Sequence, residues 1–148
     1  MNRCFGLFAL MLFSCILLSS CKKHVEQRVV SRYADNRPRV VQEFVRVNDS
    51  TSVLHREIHY FPGERKYIEK NFNNSGEPDG VWVSWYENGN KNSEGTYRNG
   101  EWQGVYKVWY PNGKLFYTGE YNHGKRVGVW KFYDSTGVLV RTEECAFE

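Results

Sequence analysis

In the second half of the chain, glycines and aromatic residues recur among polar residues at a fixed period. Gly80, Gly104 and Gly128 are 24 residues apart, and each is followed by a valine and then by an aromatic residue. A second glycine follows each of them nine residues later: Gly89, Gly113 and Gly137. Self-similarity at a fixed period is the signature of a repeat architecture. Residues 80–148 are therefore predicted to contain three repeats of one unit.

Each repeat is predicted to form a β-hairpin. Residues 82–86 are rich in aromatic and β-branched residues, and Asn88-Gly89 follows them, a dipeptide typical of a two-residue type I′ turn. Asn112-Gly113 repeats this signal, and Gly137 ends a weaker version of it. Two strands and two turns account for 24 residues without a helix. The predicted fold class is all-β, an elongated antiparallel meander of repeated hairpins.

The predicted turns also predict which residues lie opposite each other. A two-residue loop at Asn88-Gly89 places Trp82 opposite Gly95, and the same loop in the second repeat places Tyr106 opposite Gly119. A large ring beside a glycine can cover the bare backbone, which explains why rings and glycines occur together. In the third repeat Trp130 lies opposite Glu143 instead, as expected for an atypical terminal repeat.

Upstream of Gly80 the pattern is weaker. Residues 52–79 are predicted to be a degenerate repeat, residues 40–47 a strand and residues 48–51 a turn, so residues 40–79 form a second β segment. Residues 21–39 contain six basic and two acidic residues. This basic segment is predicted to be a tether, which suits an anionic membrane surface, or equally a solvated linker.

The N-terminus has the pattern of a secretory signal. A short positive region ends at Arg3, a largely apolar run of fifteen residues follows at 4–18, and the sequence then continues Ser19-Ser20-Cys21. Residues 18–21 resemble the bacterial lipobox, which implies cleavage after residue 20 and lipid on Cys21. We expect a lipoprotein anchored to the cell envelope, in the outer membrane if there are two membranes. The alternative is an N-terminal anchor that stays uncleaved.

The repeats resemble the MORN-repeat variant of bacterial proteins in the YwqK-like antitoxin group. The resemblance rests on Gly-Val-Trp, Tyr-x-Asn-Gly and Gly-x-Tyr-x-x-Gly at residues 80–100, and on their counterparts at residues 104–124. It implies rows of antiparallel hairpins that bind or scaffold rather than catalyse. The expected function is a non-enzymatic membrane-anchored module that binds a protein. The alternative is an antitoxin-like or immunity-like protein that neutralises a co-encoded toxin.

Residues that could perform chemistry are scattered along the sequence. His55 and His59 lack a nearby cysteine or an HExxH motif, and Glu143 and Glu144 would point to opposite faces of a strand. Cys145 has no base partner in its local sequence. We therefore expect no enzyme activity, no metal, no cofactor and no nucleic-acid partner. The third and least favoured hypothesis for the function is a cell-wall or glycan-processing enzyme.

The aromatic residues are the one feature that indicates a binding site. One predicted face, which includes Trp82, is nearly all aromatic or aliphatic and is expected to be the packed side. The other face repeats a ring at each 24-residue step and is expected to hold the partner; its candidate residues are Trp85, Trp109, Phe116, Tyr133, Lys107 and Lys131. The alternative for these rings is cross-strand stabilisation of the sheet itself.

Overall fold

The computed structural model describes residues 25–146, which form one ten-stranded antiparallel sheet with the strands in sequence order. The strands are β1 (Val25–Arg32), β2 (Pro38–Arg46), β3 (Ser52–Tyr60), β4 (Lys66–Asn71), β5 (Gly80–Trp85), β6 (Lys91–Arg98), β7 (Glu101–Trp109), β8 (Leu115–Asn122), β9 (Lys125–Tyr133) and β10 (Leu139–Cys145). The predicted all-β meander is confirmed. Among the described residues no helix is long and apolar enough to span a bilayer.

The predicted tether is wrong from residue 25 onward. Val25–Arg32 forms β1 and pairs with β2, which begins at Pro38. Val25, Val29 and Val30 are β-branched and favour a strand, but the basic charge of the segment led to the linker assignment. The strand predicted over residues 40–47 corresponds to β2. The signal peptide and Cys21 lie outside the described residues.

The three-residue loops at one end of the strands have the same geometry. In the 86–90 loop, the Gly89 amide donates to the Tyr86 carbonyl, and the Tyr86 amide donates to the Asn90 carbonyl, both at 2.9 Å. Gly89 has a φ of 90° whereas Asn88 does not have positive φ. This is a type I turn followed by one left-handed residue. Loops with the same pair of bonds span residues 33–37, 61–65, 110–114 and 134–138.

The predicted type I′ turn at Asn88-Gly89 is therefore wrong, although the glycine does adopt positive φ. Gly113 and Gly137 occupy the same left-handed position, with φ of 82° and 97°. The loops with positive φ at both central residues are Asn99-Gly100 and His123-Gly124, at the opposite end of the strands. They join strands whose last and first residues pair directly, such as Arg98 with Glu101. The two-residue turns thus lie between the repeats rather than within them.

The predicted pairings within the hairpins are present. Trp82 lies opposite Gly95, Tyr106 opposite Gly119, and Trp130 opposite Glu143. The two-residue loop also predicts Tyr86 opposite Lys91, and this pairing is wrong: the three-residue loop places Trp85 opposite Lys91 and leaves one extra residue in β6.

The rings that cover the glycines come from the following strand, not from the residue directly opposite. A Cβ on Gly95 would lie 2.5 Å from Tyr106 Cδ2 and 2.6 Å from Trp102 Cζ3, and a Cβ on Gly119 would overlap the Trp130 ring. Gly104 and Gly128, both with positive φ, lie in irregular stretches of β7 and β9. Because these strands carry extra residues opposite the glycine, two or more side chains can reach over it.

The N-terminal half of the sheet is held by ionic side chains as well as by apolar ones. Glu43 is 4% exposed, accepts a hydrogen bond from Gln27 at 2.8 Å and forms an ion pair with Arg56 at 2.6 Å. Arg56 also reaches Glu69 on β4 at 3.2 Å. A buried carboxylate requires such partners to offset its lost hydration. The apolar core beside it consists of Val41, Val45 and Ile58.

Candidate functional site

One face of the sheet carries a continuous series of aromatic contacts, which we call the aromatic ladder. Successive ring centroids lie 3.8–6.4 Å apart, as in Trp82–Tyr97 at 4.5 Å and Tyr97–Trp102 at 3.8 Å. All of these spacings except the 3.8 Å between Tyr97 and Trp102 lie within the usual range for favourable aromatic pairs. The ladder consists of Phe72, Trp82, Tyr97, Trp102, Tyr106, Tyr117, Tyr121, Trp130 and Phe132.

The ladder ends under two arginines that the sequence pattern did not single out. The Arg126 guanidinium lies 4.0 Å from the Trp130 ring centroid, and that of Arg141 lies 4.1 Å from the Phe132 centroid. Both pair with Glu143, at 2.8 Å and 2.6 Å. Arg126 follows Trp102 by 24 residues, so the guanidinium takes the place that an indole takes in the preceding repeat. Only this internal alignment could have identified it.

The ladder rings pack against one another, and they are half-buried except for Trp130, which is fully buried. Trp130 is 2% exposed, and burial raises the pKa of Tyr97, Tyr117 and Tyr121, with smaller contributions from the neighbouring tyrosines. A raised phenol pKa is the expected effect of removing the ionised form from water. The prediction that the Trp82 face is the packed side holds at Trp130, but in the N-terminal half the buried Val41 and Ile58 lie on the opposite face, in register with Glu69 and Val83.

The other predicted rings form a second series, which we call the Trp85 row: Trp85, Trp109 and Tyr133. Each of these residues ends an odd-numbered strand immediately before a three-residue loop. All three are half-buried, so part of each ring faces solvent. Within the described residues, none of the recorded ring–ring contacts joins the row to the ladder. The row is thus a separate aromatic surface at the loop end of β5, β7 and β9.

The cations beside the Trp85 row differ from those predicted. Lys66 Nζ lies 5.9 Å from the Trp85 ring centroid, and Lys91 Nζ lies 5.8 Å from that of Trp109. Lys91 is also the register partner of Trp85. Each lysine begins the strand after a loop and reaches the ring of a neighbouring hairpin. The sequence signal was present, because both positions follow a turn, but it required the three-residue loop to be known.

The other three predicted binding residues are placed less favourably. Lys107 and Lys131 are exposed and lie opposite Thr118 on either side of β8, but no cation–ring contact is recorded for them in the described part of the chain. Phe116 is the extra residue of an irregularity in β8, and its ring contacts Tyr110 at 4.7 Å and Tyr117 at 5.2 Å. Its assignment to the Trp85 face is therefore wrong: it packs beside the ladder.

Hydrogen bonds between repeats fix the backbone of the Trp85 row. The Tyr86 hydroxyl donates to the Trp109 carbonyl at 2.8 Å, and the Tyr110 hydroxyl donates to the Tyr133 carbonyl at 2.9 Å. Two residues further along the chain, Asn88 Nδ2 donates to the Pro111 carbonyl at 2.7 Å. Every such bond joins a loop to the next repeat. The row is consequently held in place by contacts to its backbone rather than by ring–ring contacts.

A groove of about 300 Å³ opens beside the first ring of the row and is lined by Arg65, Lys66, Trp85 and Gly89. Lys66 is held at one side by an ion pair with Glu69 at 2.6 Å. Burial raises the pKa of Glu69, but the hydrogen bond and charge of Lys66 and the charge of Arg56 lower it overall. The groove therefore combines an indole with a lysine held by an ion pair and with Arg65, a setting that suits aromatic and anionic groups of a partner.

Groups suited to acid–base or metal chemistry are dispersed. Burial raises the pKa of Glu57, but hydrogen bonds from Gln42, His59 and Lys70 outweigh it and lower the value to about 2. His59 Nε2 lies 2.7 Å from Glu57 Oε1. Among residues 25–146 no three potential metal-ligating side chains come together. Glu57 and its partners form a structural ion-pair group on the ladder face of β3 and β4.

The repeats can now be compared with known families. The family model described as MORN repeat variant matches residues 78–99, 102–123 and 126–144. Three of the hairpins are MORN repeats. Each match begins two residues before the repeat glycine, at Pro78, Trp102 and Arg126. MORN repeats commonly mediate binding to proteins or membranes. The chain has no significant match among curated proteins.

Proposed function

We propose that this protein is a non-enzymatic binding or scaffold module of the cell envelope, held at a membrane by lipid on Cys21, and that the Trp85 row docks a protein partner. The observation that carries this proposal is the contrast between the two aromatic series. The ladder rings contact one another along the sheet, whereas no ring–ring contact within the described residues involves Trp85 or Trp109, which are half-buried with Lys66 and Lys91 beside them.

The row has the properties of an anchoring surface. Tryptophan and tyrosine provide a large amphipathic area and lose little rotamer freedom when a partner covers them. Here the inter-repeat bonds of Tyr86 and Tyr110 already hold the backbone behind Trp109 and Tyr133. A partner that crosses the loop edge would meet one ring per repeat. This periodicity favours an extended segment over a compact ligand.

The anchor part of the proposal rests on residues 18–21. Intact-mass and peptide mass spectrometry of the native protein would test it. We expect a chain that begins at Cys21 and carries acyl groups, and we expect Cys21→Ser to abolish the modification and leave the signal attached. An unmodified Cys21, or a mature start at another residue, would contradict the anchor without affecting the binding surface.

The partner would be sought by affinity purification of the full chain from detergent-solubilised membranes. We expect one protein in near-stoichiometric amount. If that protein is a toxin encoded beside this chain, the function is that of an antitoxin or immunity protein; if it is an envelope component, the function is that of a scaffold. Recovery of the chain alone under conditions that preserve other membrane complexes would count against a protein-binding role.

A further inference from the structure

Both outer strands of the sheet present exposed apolar residues. In the described part of the chain, β1 and β10 each have a strand on one side only. On β1, Val25, Val29 and Val30 are 47%, 41% and 56% exposed. Where the chain enters β10, Val138 of the loop and Leu139 and Val140 of the strand are 59%, 49% and 61% exposed. Unpaired strand edges with exposed apolar residues are templates for pairing with another chain.

We propose that β10 of one copy pairs with β1 of a second copy, so that the sheet continues from one molecule into the next. The topology permits this without any change of direction. The ten strands alternate in direction, so β10 runs opposite to β1. A second copy in the same orientation therefore presents β1 antiparallel to β10. The contact is head-to-tail, and contacts of this kind propagate rather than close unless the rotation forms a ring.

The charges of the two strands complement each other. β1 carries Arg28 and Arg32 with Glu26, a net charge of +1, and β10 carries Glu143 and Glu144 with Arg141, a net charge of −1. Arg28 lies on the ladder face, because it is directly opposite Gln42 in the sheet. Gln42 donates a hydrogen bond to Glu57, and Glu57 accepts another from Lys70. The Nζ of Lys70 in turn lies 5.5 Å from the Trp82 ring of the ladder.

Glu143 lies on that same face, because it is the partner of Trp130. Antiparallel residues directly opposite each other share a face. The sheet faces would therefore remain continuous if Arg28 stood opposite Glu143.

This register is distinguished from its neighbours by charge. It also places Glu26 opposite Cys145, Gln27 opposite Glu144, and Val29 opposite Thr142. A shift by two residues in one direction puts Arg28 opposite Arg141. A shift by two residues in the other direction puts Arg28 opposite Cys145 and leaves it without an opposite charge. Like charges directly opposite each other are unfavourable. The face-preserving register with a complementary central pair is the one that we assign.

The position of Glu143 also selects the type of strand that can follow. It stands where Gly95 and Gly119 stand in the earlier repeats, and those glycines are covered by rings of the next strand. A carboxylate there leaves no room for an overlying ring, so a further MORN hairpin does not fit. The matching position of β1 offers Arg28, which carries no ring. Pairing of β10 with a second β10 is less favourable, because it brings together two strands of net negative charge.

Cysteine cross-linking in membranes that contain the full chain would test the interface. Opposite Cα atoms in antiparallel strands lie about 4.5–5.5 Å apart, within the range for a disulfide. We expect Glu26→Cys to form intermolecular disulfides with Cys145 under mild oxidation, giving a series of dimer, trimer and higher bands that collapses on reduction. Glu26→Ser, which retains every native cysteine, should give none of these bands.

Charge exchange and an alternative cysteine complete the test. Arg28→Glu in the Glu26→Cys chain should abolish the series, and adding Glu143→Arg should restore it, with thermal melts showing that each variant folds. Three results would overturn the proposal. The first is a Glu26→Cys chain that remains monomeric, and the second is a Glu26→Ser chain that gives the same cross-linked products. The third is cross-linking in a Leu139→Cys chain but not in the Glu26→Cys chain, which would indicate pairing of β10 with a second β10. A Glu26→Cys product that stops at dimer would overturn the head-to-tail arrangement as well.

Discussion

The Trp130 indole lies directly against the backbone of Gly119, on the strand that pairs with its own. No Cβ fits between them, and Gly119 does not have positive φ, so its glycine identity is a matter of space rather than of backbone conformation. The same relationship joins Gly95 to Trp102 and Tyr106. The glycine period in the sequence therefore marks the positions where one repeat receives the ring of the next.

The first prediction follows from this contact. Gly119→Ala should destabilise the protein by about 3 kcal/mol, because the added methyl overlaps the Trp130 ring and forces overpacking. Gly63→Ala is the matched control: nothing lies within 4 Å of its added Cβ and its φ lies outside the left-handed region. Urea denaturation of both variants would measure the difference. Equal stability of the two would show that Trp130 moves away freely.

The second prediction concerns the loops. Gly113 holds the left-handed position of its loop at a φ of 82°, so Gly113→Val should cost about 1–2 kcal/mol. Gly113→Asn should cost less, since asparagine tolerates this region better, as Asn36 does in the first loop at a φ of 70°. Thermal or chemical melts would rank the variants. A Gly113→Val protein as stable as Gly63→Val would contradict the loop assignment.

The loops also show what sequence reasoning could and could not provide. An Asn-Gly dipeptide supplies a left-handed glycine in both two-residue and three-residue loops, so Asn88-Gly89 alone did not distinguish them. The pairing of Trp82 with Gly95 was predicted because it is insensitive to this choice: the extra loop residue is absorbed by an irregularity between Ser84 and Trp85. The position of Lys91 depended on that choice, and it was therefore missed.

The source of the covering rings could not be deduced from pairing alone. Sequence register assigns one residue opposite each glycine, but the irregular stretches at Gly104 and Gly128 bring extra residues over it. Likewise, β1 was hidden by its charge, because a basic segment after a signal sequence is typical of a linker. Its valines needed the β2 partner before they indicated a strand.

The third prediction concerns the hydrogen bonds between repeats. Tyr110→Phe removes the hydroxyl that donates to the Tyr133 carbonyl and should cost about 1 kcal/mol. Tyr67→Phe is the control, because Tyr67 is 46% exposed and its hydroxyl has no recorded partner in the described residues. If both changes have the same effect in denaturant melts, the inter-repeat bond does not contribute to stability.

The fourth prediction concerns pH. The pKa of Glu57 is about 2 in the folded protein, below the ordinary value of 4.5. A carboxyl group whose pKa is depressed by folding stabilises the folded state above its unfolded pKa, and this contribution is lost as the pH falls from about 4.5 towards 2. Glu57→Gln should therefore lower stability near pH 7 and narrow its gap to the native protein as the pH approaches 2. A gap that is constant across this window would contradict the role of Glu57.

The separate roles of the two aromatic series lead to the last prediction. Trp82 contacts Phe72, Tyr97 and Trp102 within the ladder, so Trp82→Ala should cost about 3–5 kcal/mol of stability. Trp85→Ala combined with Trp109→Ala should leave the ladder intact and lower the melting temperature much less. The control for loss of exposed apolar surface is Val105→Ala with Val129→Ala, at positions that are 56% and 51% exposed.

The most direct measurement is the recovery of the partner from solubilised membranes by the full chain, compared between the native sequence and these two double variants and accompanied by a thermal melt of each. We predict that Trp85→Ala with Trp109→Ala remains folded but loses the partner, as expected when anchoring rings worth a few kcal/mol are removed, while the valine double variant retains it. A folded Trp85/Trp109 variant that recovers the partner as well as the native chain would contradict the assignment of the Trp85 row as the binding surface.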